Sequence, residues 1–171
     1  MSGVSGDERA RFAAFADAAM PELLRYGLLL TGSRSDAEDL VQAALERVLR
    51  RWGSIDVGRS PLGYCRVVMA RLNVDSWRAF RRHEQLVAEP SRTAQHDDPA
   101  VQVTDGVAVL RMLAGLPRRQ RTVLVLRYYA DMSEDEIATA MKIARGTVKS
   151  QAAKALATLR QSSLVDFAES P

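Results

Sequence analysis

The sequence predicts an all-α protein made of two small helical domains joined by a flexible linker. Three observations carry that expectation. Apolar residues recur at i, i+3 and i+4 along most of the chain, the period of a helix packed on one side. No segment shows the period-two alternation of a half-buried strand. The periodic segments also fall into two groups, residues 7–84 and 105–163. Between them, residues 85–104 carry Pro90, Ser91, Thr93, Asp97, Asp98 and Pro99 without a helical stripe.

Asp7 to Leu30 is helical in pattern, with a break expected near Pro21. Phe12, Phe15, Ala16 and Ala19 share one face, and Leu23, Leu24, Leu28 and Leu30 supply another. Thr31-Gly32-Ser33 reads as a turn, and Ser35 followed by Glu38 reads as a capping box. The next helix has the clearest stripe: Ala37, Leu40, Val41, Ala44, Leu45, Val48, Leu49 and Trp52, with Asp39, Gln42, Ala43, Glu46 and Arg50 outside. Gly53 to Ser60 is a loop, and Pro61 suits the first turn of a helix running to about Arg82. Leu62, Cys65, Met69, Leu72 and Phe80 face inward. Arg71, Arg78 and Arg82 form an outer stripe, with Arg81 beside it and Trp77 at its flank. Two readings of that face stand side by side: a solvated basic surface over a core tryptophan, or a nucleic-acid surface with an aromatic able to stack on a base.

In the second group, Val107 to Leu116 is helical and ends at Pro117. Arg118 to Tyr129 follows, with Val123, Leu124, Leu126 and Tyr128 expected in the core. Ser133 and Glu136 make a second capping box, ahead of Ile137, Ala138 and Met141 on one face. A turn at Lys142-Ile143-Ala144 leads into a helix opening at Arg145-Gly146-Thr147, with Val148, Ala152, Ala155, Leu156 and Leu159 as its stripe. Beyond Gln161 the tail is expected to fray. Two short helices joined in this way make a helix-turn-helix, whose second helix can enter the major groove of DNA. No acidic residue occurs from Ile137 to Val165, while Lys142, Arg145, Lys149, Lys154 and Arg160 are basic. A face of one sign suits phosphate.

Composition narrows the function classes. With 171 residues, 47% of them hydrophobic and 26% charged, the chain can bury a core. The net charge of +3 hides a separation: residues 1–46 hold eight acids and four bases, and residues 47–82 hold nine arginines against Asp56 and Asp75. Two surfaces with different partners are expected, one of them for a polyanion. Cys65 is the single cysteine and falls on an apolar face, so a buried thiol is expected rather than a nucleophile or a metal cluster. His83 and His96 lack ligand spacing. No metal, cofactor or catalytic residue is expected: there is no phosphate-cradling glycine loop and no nucleophile–base pair. Glu134, Asp135 and Glu136 sit at a helix start, where capping and dipole effects account for them. No apolar run reaches membrane-spanning length and there is no secretory h-region, so a cytoplasmic protein without membrane insertion is expected.

Two separated motifs carry a family resemblance. The first is Leu29-Leu30-Thr31-Gly32 running into Asp36-Ala37-Glu38-Asp39-Leu40-Val41-Gln42. The second runs from Leu116-Pro117-Arg118-Arg119-Gln120-Arg121 through Gly146-Thr147-Val148-Lys149-Ser150. In motif, order and spacing the chain resembles the extracytoplasmic-function bacterial RNA polymerase sigma factors, specifically the small SigE-like actinobacterial type, over roughly residues 10 to 160. The motifs look like conserved regions 2 and 4.

The resemblance implies a transcription-initiation factor that binds core polymerase, recognises −35 and −10 promoter elements and promotes melting. It implies core-polymerase contacts at Asp36, Asp39, Gln42 and Glu46, with the beta-prime clamp and the beta flap as the polymerase elements met. It implies −10 contacts at Ser54, Ile55, Asp56, Arg59, Arg71, Trp77, Arg78, Arg81 and Arg82. For the −35 element it implies Arg118, Arg119, Arg145, Thr147, Lys149, Ser150, Gln151, Ala153 and Lys154. An anti-sigma factor is a further candidate partner. Lys142 stands where the family often has glycine, Gln151 where arginine is frequent, and Ala43 where an acid is usual. Two other classes compete: a helix-turn-helix regulator with an N-terminal helical sensory domain, and a helical interaction module whose basic faces are merely solvated.

Overall fold

The computed structural model describes residues 6–55, 60–86 and 105–168, with side-chain surroundings at 6–55, 60–79 and 108–161. Every regular element among the described residues is helical: α1 (Gly6–Thr31), α2 (Arg34–Arg50), a single 3₁₀ turn (Trp52–Ser54), α3 (Pro61–Leu86), α4 (Asp105–Ala114), α5 (Arg118–Tyr128), α6 (Glu134–Met141) and α7 (Arg145–Ala168). The expected linker lies almost wholly outside the described residues, as do Asp56, Arg59 and His96.

Helices α1 to α3 bury Leu23, Tyr26, Leu30, Ala37, Ala44, Val48, Cys65, Met69 and Val74 against one another. Burial pushes the Cys65 thiol up to about 11, so it packs as a small apolar group. A Cβ at Gly27 would come within 3.1–3.3 Å of Ala37, so glycine is what lets α1 and α2 approach so closely. Trp52 closes the far end, its ring 5.2 Å from Phe12 and 5.1 Å from Phe15.

Three expectations are corrected here. No break occurs at Pro21: α1 runs through it. Pro21 is exposed, so its ring meets solvent, while buried Ala19, Leu23 and Tyr26 anchor the helix on both sides. The N-cap of α2 is Ser33, not Ser35, since Ser33 Oγ accepts from the Asp36 N–H, while Glu38 pairs with Arg34 at 3.0 Å. Helix α7 continues to Ala168 rather than fraying beyond Gln161.

The second unit packs α4 to α7 around Leu116, Val123, Leu126, Ile137, Met141, Val148, Ala152 and Ala155. Tyr128, expected inside, is 64% exposed, and Val125 is buried in its stead. The two units meet along a seam. The Tyr26 and Tyr129 rings stack at 5.6 Å, with the Arg66 guanidinium 5.5 Å above Tyr129, and Asn73 donates to Thr122 at 3.2 Å. Gly32 turns the chain between α1 and α2 at φ +75, and the buried Arg121 guanidinium lies where its Cβ would be. Arg121 donates to the carbonyls of Ala114 and Leu116, and burial lowers its pKa, with Arg118 nearby adding to the effect.

Candidate nucleic-acid interface

The helix-turn-helix is built from the capping box outward. Ser133 Oγ accepts from the Glu136 N–H at 3.3 Å, and the Glu136 carboxylate accepts from the Ser133 N–H at 2.8 Å. The bond from the Ser133 N–H, with a second from the Ser133 hydroxyl at 2.8 Å, holds the Glu136 carboxyl below the usual carboxylate range. Buried Ile137, Ala140 and Met141 fasten α6 to the unit. At its end Lys142 adopts the left-handed conformation, φ 52 and ψ 49, and the Ile143 N–H reaches back to the Ala138 carbonyl at 3.0 Å. A lysine in that conformation costs about 1 kcal/mol relative to glycine. Thr147 and Val148 then donate to the Ala144 carbonyl at 2.9 and 3.2 Å, starting α7.

Val148, Ala152 and Ala155 seat one side of α7 in the core. The other side presents Arg145, Lys149, Ser150, Ala153 and Lys154 to solvent, with Thr147 and Gln151 half-buried. The sequence-predicted face therefore exists, but it is not free of acid. Glu134, at the start of α6, lies 3.0 Å from Arg145 Nε, 3.8 Å from Lys149 Nζ and 3.4 Å from Arg127, and Asp135 lies 3.5 Å from Arg145. The hydrogen bond from Arg145, ahead of the fields of Lys149 and Arg127, pulls the Glu134 carboxyl below its ordinary range. The same bond raises Arg145. Glu134 is the residue the sequence reading missed as an organiser of this face: it precedes the acid-free run by one turn of helix and is folded back onto it.

Arg118 and Arg119 are placed at the seam. Arg118 reaches Asp36 at 3.8 Å, and Arg119 lies 5.2 Å over the Trp77 ring. On the first unit, Asp36, Asp39, Gln42 and Glu46 are all exposed along α2. Gln42 and Glu46 edge an apolar cleft of about 460 Å³ floored by Phe12, Met20, Leu24 and Leu45. Ser54 is exposed and Ile55 half-buried, while Arg71 is exposed on α3. Trp77 is only 8% exposed. Arg78 donates to the Met141 carbonyl at 2.6 Å and the Lys142 carbonyl at 3.0 Å. Arg81 and Arg82 lie on α3, beyond the described side chains. No group of His, Cys, Asp and Glu among the described residues could hold a metal ion, and no described helix is long and apolar enough to cross a membrane.

Comparisons with known proteins cover both units. Residues 15–83 match the Sigma-70 region 2 family, and residues 106–159 match Sigma-70, region 4. The chain is 36% identical to the RNA polymerase sigma-E factor of Streptomyces coelicolor over 90% of this chain and 86% of that one. It is 32% identical to the ECF RNA polymerase sigma factor SigL of Mycobacterium tuberculosis over 94% and 93%. In fold it resembles the sigma factor RpoE solved with the anti-sigma factor NepR from Bartonella quintana, with TM-score 0.61, 20% identity, and 91% and 98% of the two chains covered. It also resembles CnrH solved with the cytosolic domain of CnrY, with TM-score 0.56, 23% identity, and 98% and 94% covered. Two region matches in the expected order, and whole-length relatives above 30% identity, show that the chain belongs to the extracytoplasmic-function group of the sigma-70 family of RNA polymerase sigma factors.

Proposed function

We propose that the chain docks on core RNA polymerase in the cytoplasm through α2, reads the −35 element with α7 and traps the opened −10 strand along α3 and the segment after Trp52. As a sigma factor it is a non-catalytic specificity subunit that directs polymerase to promoters. The observation that carries the −35 assignment is the exposed row Arg145, Lys149, Ser150, Ala153 and Lys154, on a helix whose opposite side is locked into a helix-turn-helix core. A helix anchored in this way presents its face to a major groove while its cations fix the register on phosphates. For polymerase docking, the support is the exposed run Asp36, Asp39, Gln42 and Glu46 beside an apolar cleft, a polar rim around an apolar anchor site.

An anti-sigma partner belongs to the same proposal. One relative of this fold was solved with an anti-sigma factor, NepR, and another, CnrH, with the cytosolic domain of CnrY. Between the units of this chain, Leu24, Leu28, Val109, Leu113, Tyr128 and Leu159 line an apolar groove of about 820 Å³. Val109 and Tyr128 are 50% and 64% exposed, which suits the apolar side of a partner helix.

Run-off transcription with purified core polymerase on a genomic fragment library tests the reading. Discrete transcripts that require this chain are expected. DNA binding without core polymerase, together with no chain-dependent transcript, would overturn it in favour of an ordinary helix-turn-helix regulator.

A further inference from the structure

We propose that the Lys142 turn is a built-in competitor for the opened promoter strand: it occupies the strand-holding surface of α3 and has to leave before single-stranded DNA can bind. The inference rests on the assignment of that surface to the −10 strand and adds what controls its availability.

Three contacts make the competition. The first is Arg78, whose guanidinium donates to the last carbonyl of α6, on Met141, and to that of Lys142. Carbonyls at a helix C-terminus lack intrahelical partners and carry the negative end of the helix dipole. They offer an arginine what a phosphate group offers, two acceptor oxygens in a negative field. The second is the Lys142 ammonium, 3.4 Å from Asp75 on α3. The third is Arg119, whose guanidinium covers the ring of Trp77, the aromatic on which a base would stack. Phosphate and base would thus need the same arginine and the same ring face that the second unit holds.

The turn itself adds the argument for a latch. Lys142 adopts a left-handed backbone that glycine would take without strain, yet it carries a side chain that reaches across the seam. A residue chosen only to end α6 has no need of that ammonium. Lys142→Gly therefore separates two roles: it relaxes the turn and cuts the ion pair to Asp75. It also removes a positive charge, so general electrostatics alone would weaken DNA binding. The latch predicts the opposite sign, since freeing the binding-competent form raises apparent affinity.

The test uses the full chain and its Lys142→Gly variant, each labelled with a donor–acceptor pair on the exposed faces of α2 and α7. The probe is a short fluorescein-labelled single-stranded oligodeoxynucleotide of mixed sequence at low salt, with Arg78→Ala as the strand-contact control. Lys142→Gly is expected to lower energy transfer between the units, to bind the strand several-fold more tightly than the parent, and to melt no lower. Energy transfer and strand affinity identical to the parent would overturn the latch while leaving the strand assignment intact, provided Arg78→Ala still loses binding. An opened Lys142→Gly chain that binds the strand no better than Arg78→Ala would overturn the strand assignment, and the latch with it.

Discussion

The basic faces of α3 and α7 look alike in sequence and are occupied differently in the structure. On α7 the cations are neutralised from within their own unit, by Glu134 and Asp135 through exposed ion pairs. On α3 the arginine is held from the other unit, by backbone carbonyls, beside a buried tryptophan. Exposed ion pairs are weak and screened by salt, so a phosphate can replace a carboxylate at Arg145 or Lys149 with no change of shape. The Arg78 bond to the part-buried Met141 carbonyl, from a charged donor, is stronger, about 1.5–3 kcal/mol, and exchanging it for phosphate requires one unit to move. The face proposed to read the duplex is therefore open for binding as it stands, and the face proposed to trap the strand is conditional.

The comparison breaks most completely if the two faces do not belong to separable units. Ile137→Ala, in the core of the second unit, is expected to cost about 2–5 kcal/mol in thermal or chemical unfolding. It should abolish duplex binding while strand binding by α3 survives or improves. Loss of both together would show one cooperative body and remove the contrast.

A smaller effect is expected at Arg78. Arg78→Ala should reduce open-complex formation by about 1–3 kcal/mol, roughly five- to 150-fold, as followed by permanganate reactivity of −10 thymines. A template with a pre-melted bubble should recover much of the loss, and duplex affinity should not change. Equal losses on duplex and bubble templates would place Arg78 outside strand trapping.

Lys149→Ala should weaken duplex binding about evenly across sequences and reduce the salt slope by about one unit. A changed base preference with an unchanged slope would instead make Lys149 a reader of bases.

The smallest effect belongs to Glu134→Gln, which should tighten duplex binding modestly by releasing Arg145 and Lys149. The Glu134 carboxyl is held below its usual range, so its ion pairs are present above that range and are lost as pH falls through the lowered value. The difference between parent and variant should thus be constant around neutral pH and close only in acid. A variant that binds less tightly at neutral pH would mean Glu134 orients these cations for DNA rather than occupying them.

The helices and the helix-turn-helix were legible because their signals are local. The Ser133–Glu136 box, the α2 stripe and the Val148–Ala155 stripe each lie within one element. What was misread depended on neighbours. Ser33 and Ser35 offer the same cap chemistry two residues apart, and the choice fell to the turn, where Thr31 Oγ1 donates to the Ser33 carbonyl at 2.9 Å. Tyr128 carries an apolar ring, yet it sits at the end of α5 facing the groove and stays exposed, with the Arg127 guanidinium 5.8 Å over its ring. Trp77 could be read as core or as nucleic-acid surface, and the structure explains the ambiguity: it belongs to the buried core, with a guanidinium of the other unit over its ring. Glu134 escaped because it precedes the acid-free run that begins at Ile137, while the fold brings its charge across the turn onto Arg145 and Lys149.

The placement of the two tryptophans makes the molecule its own reporter. Trp52 is lodged against Phe12 and Phe15 within the first unit, and separation of the units leaves it where it is. Trp77 lies in the seam, 8% exposed, with the Arg119 guanidinium of the second unit 5.2 Å over its ring. Parting them wets one indole and not the other, so the emission spectrum should split into a fixed component and a red-shifting one. Replacing Trp52 by phenylalanine would leave a single dye-free signal whose colour reads how far the protein has opened.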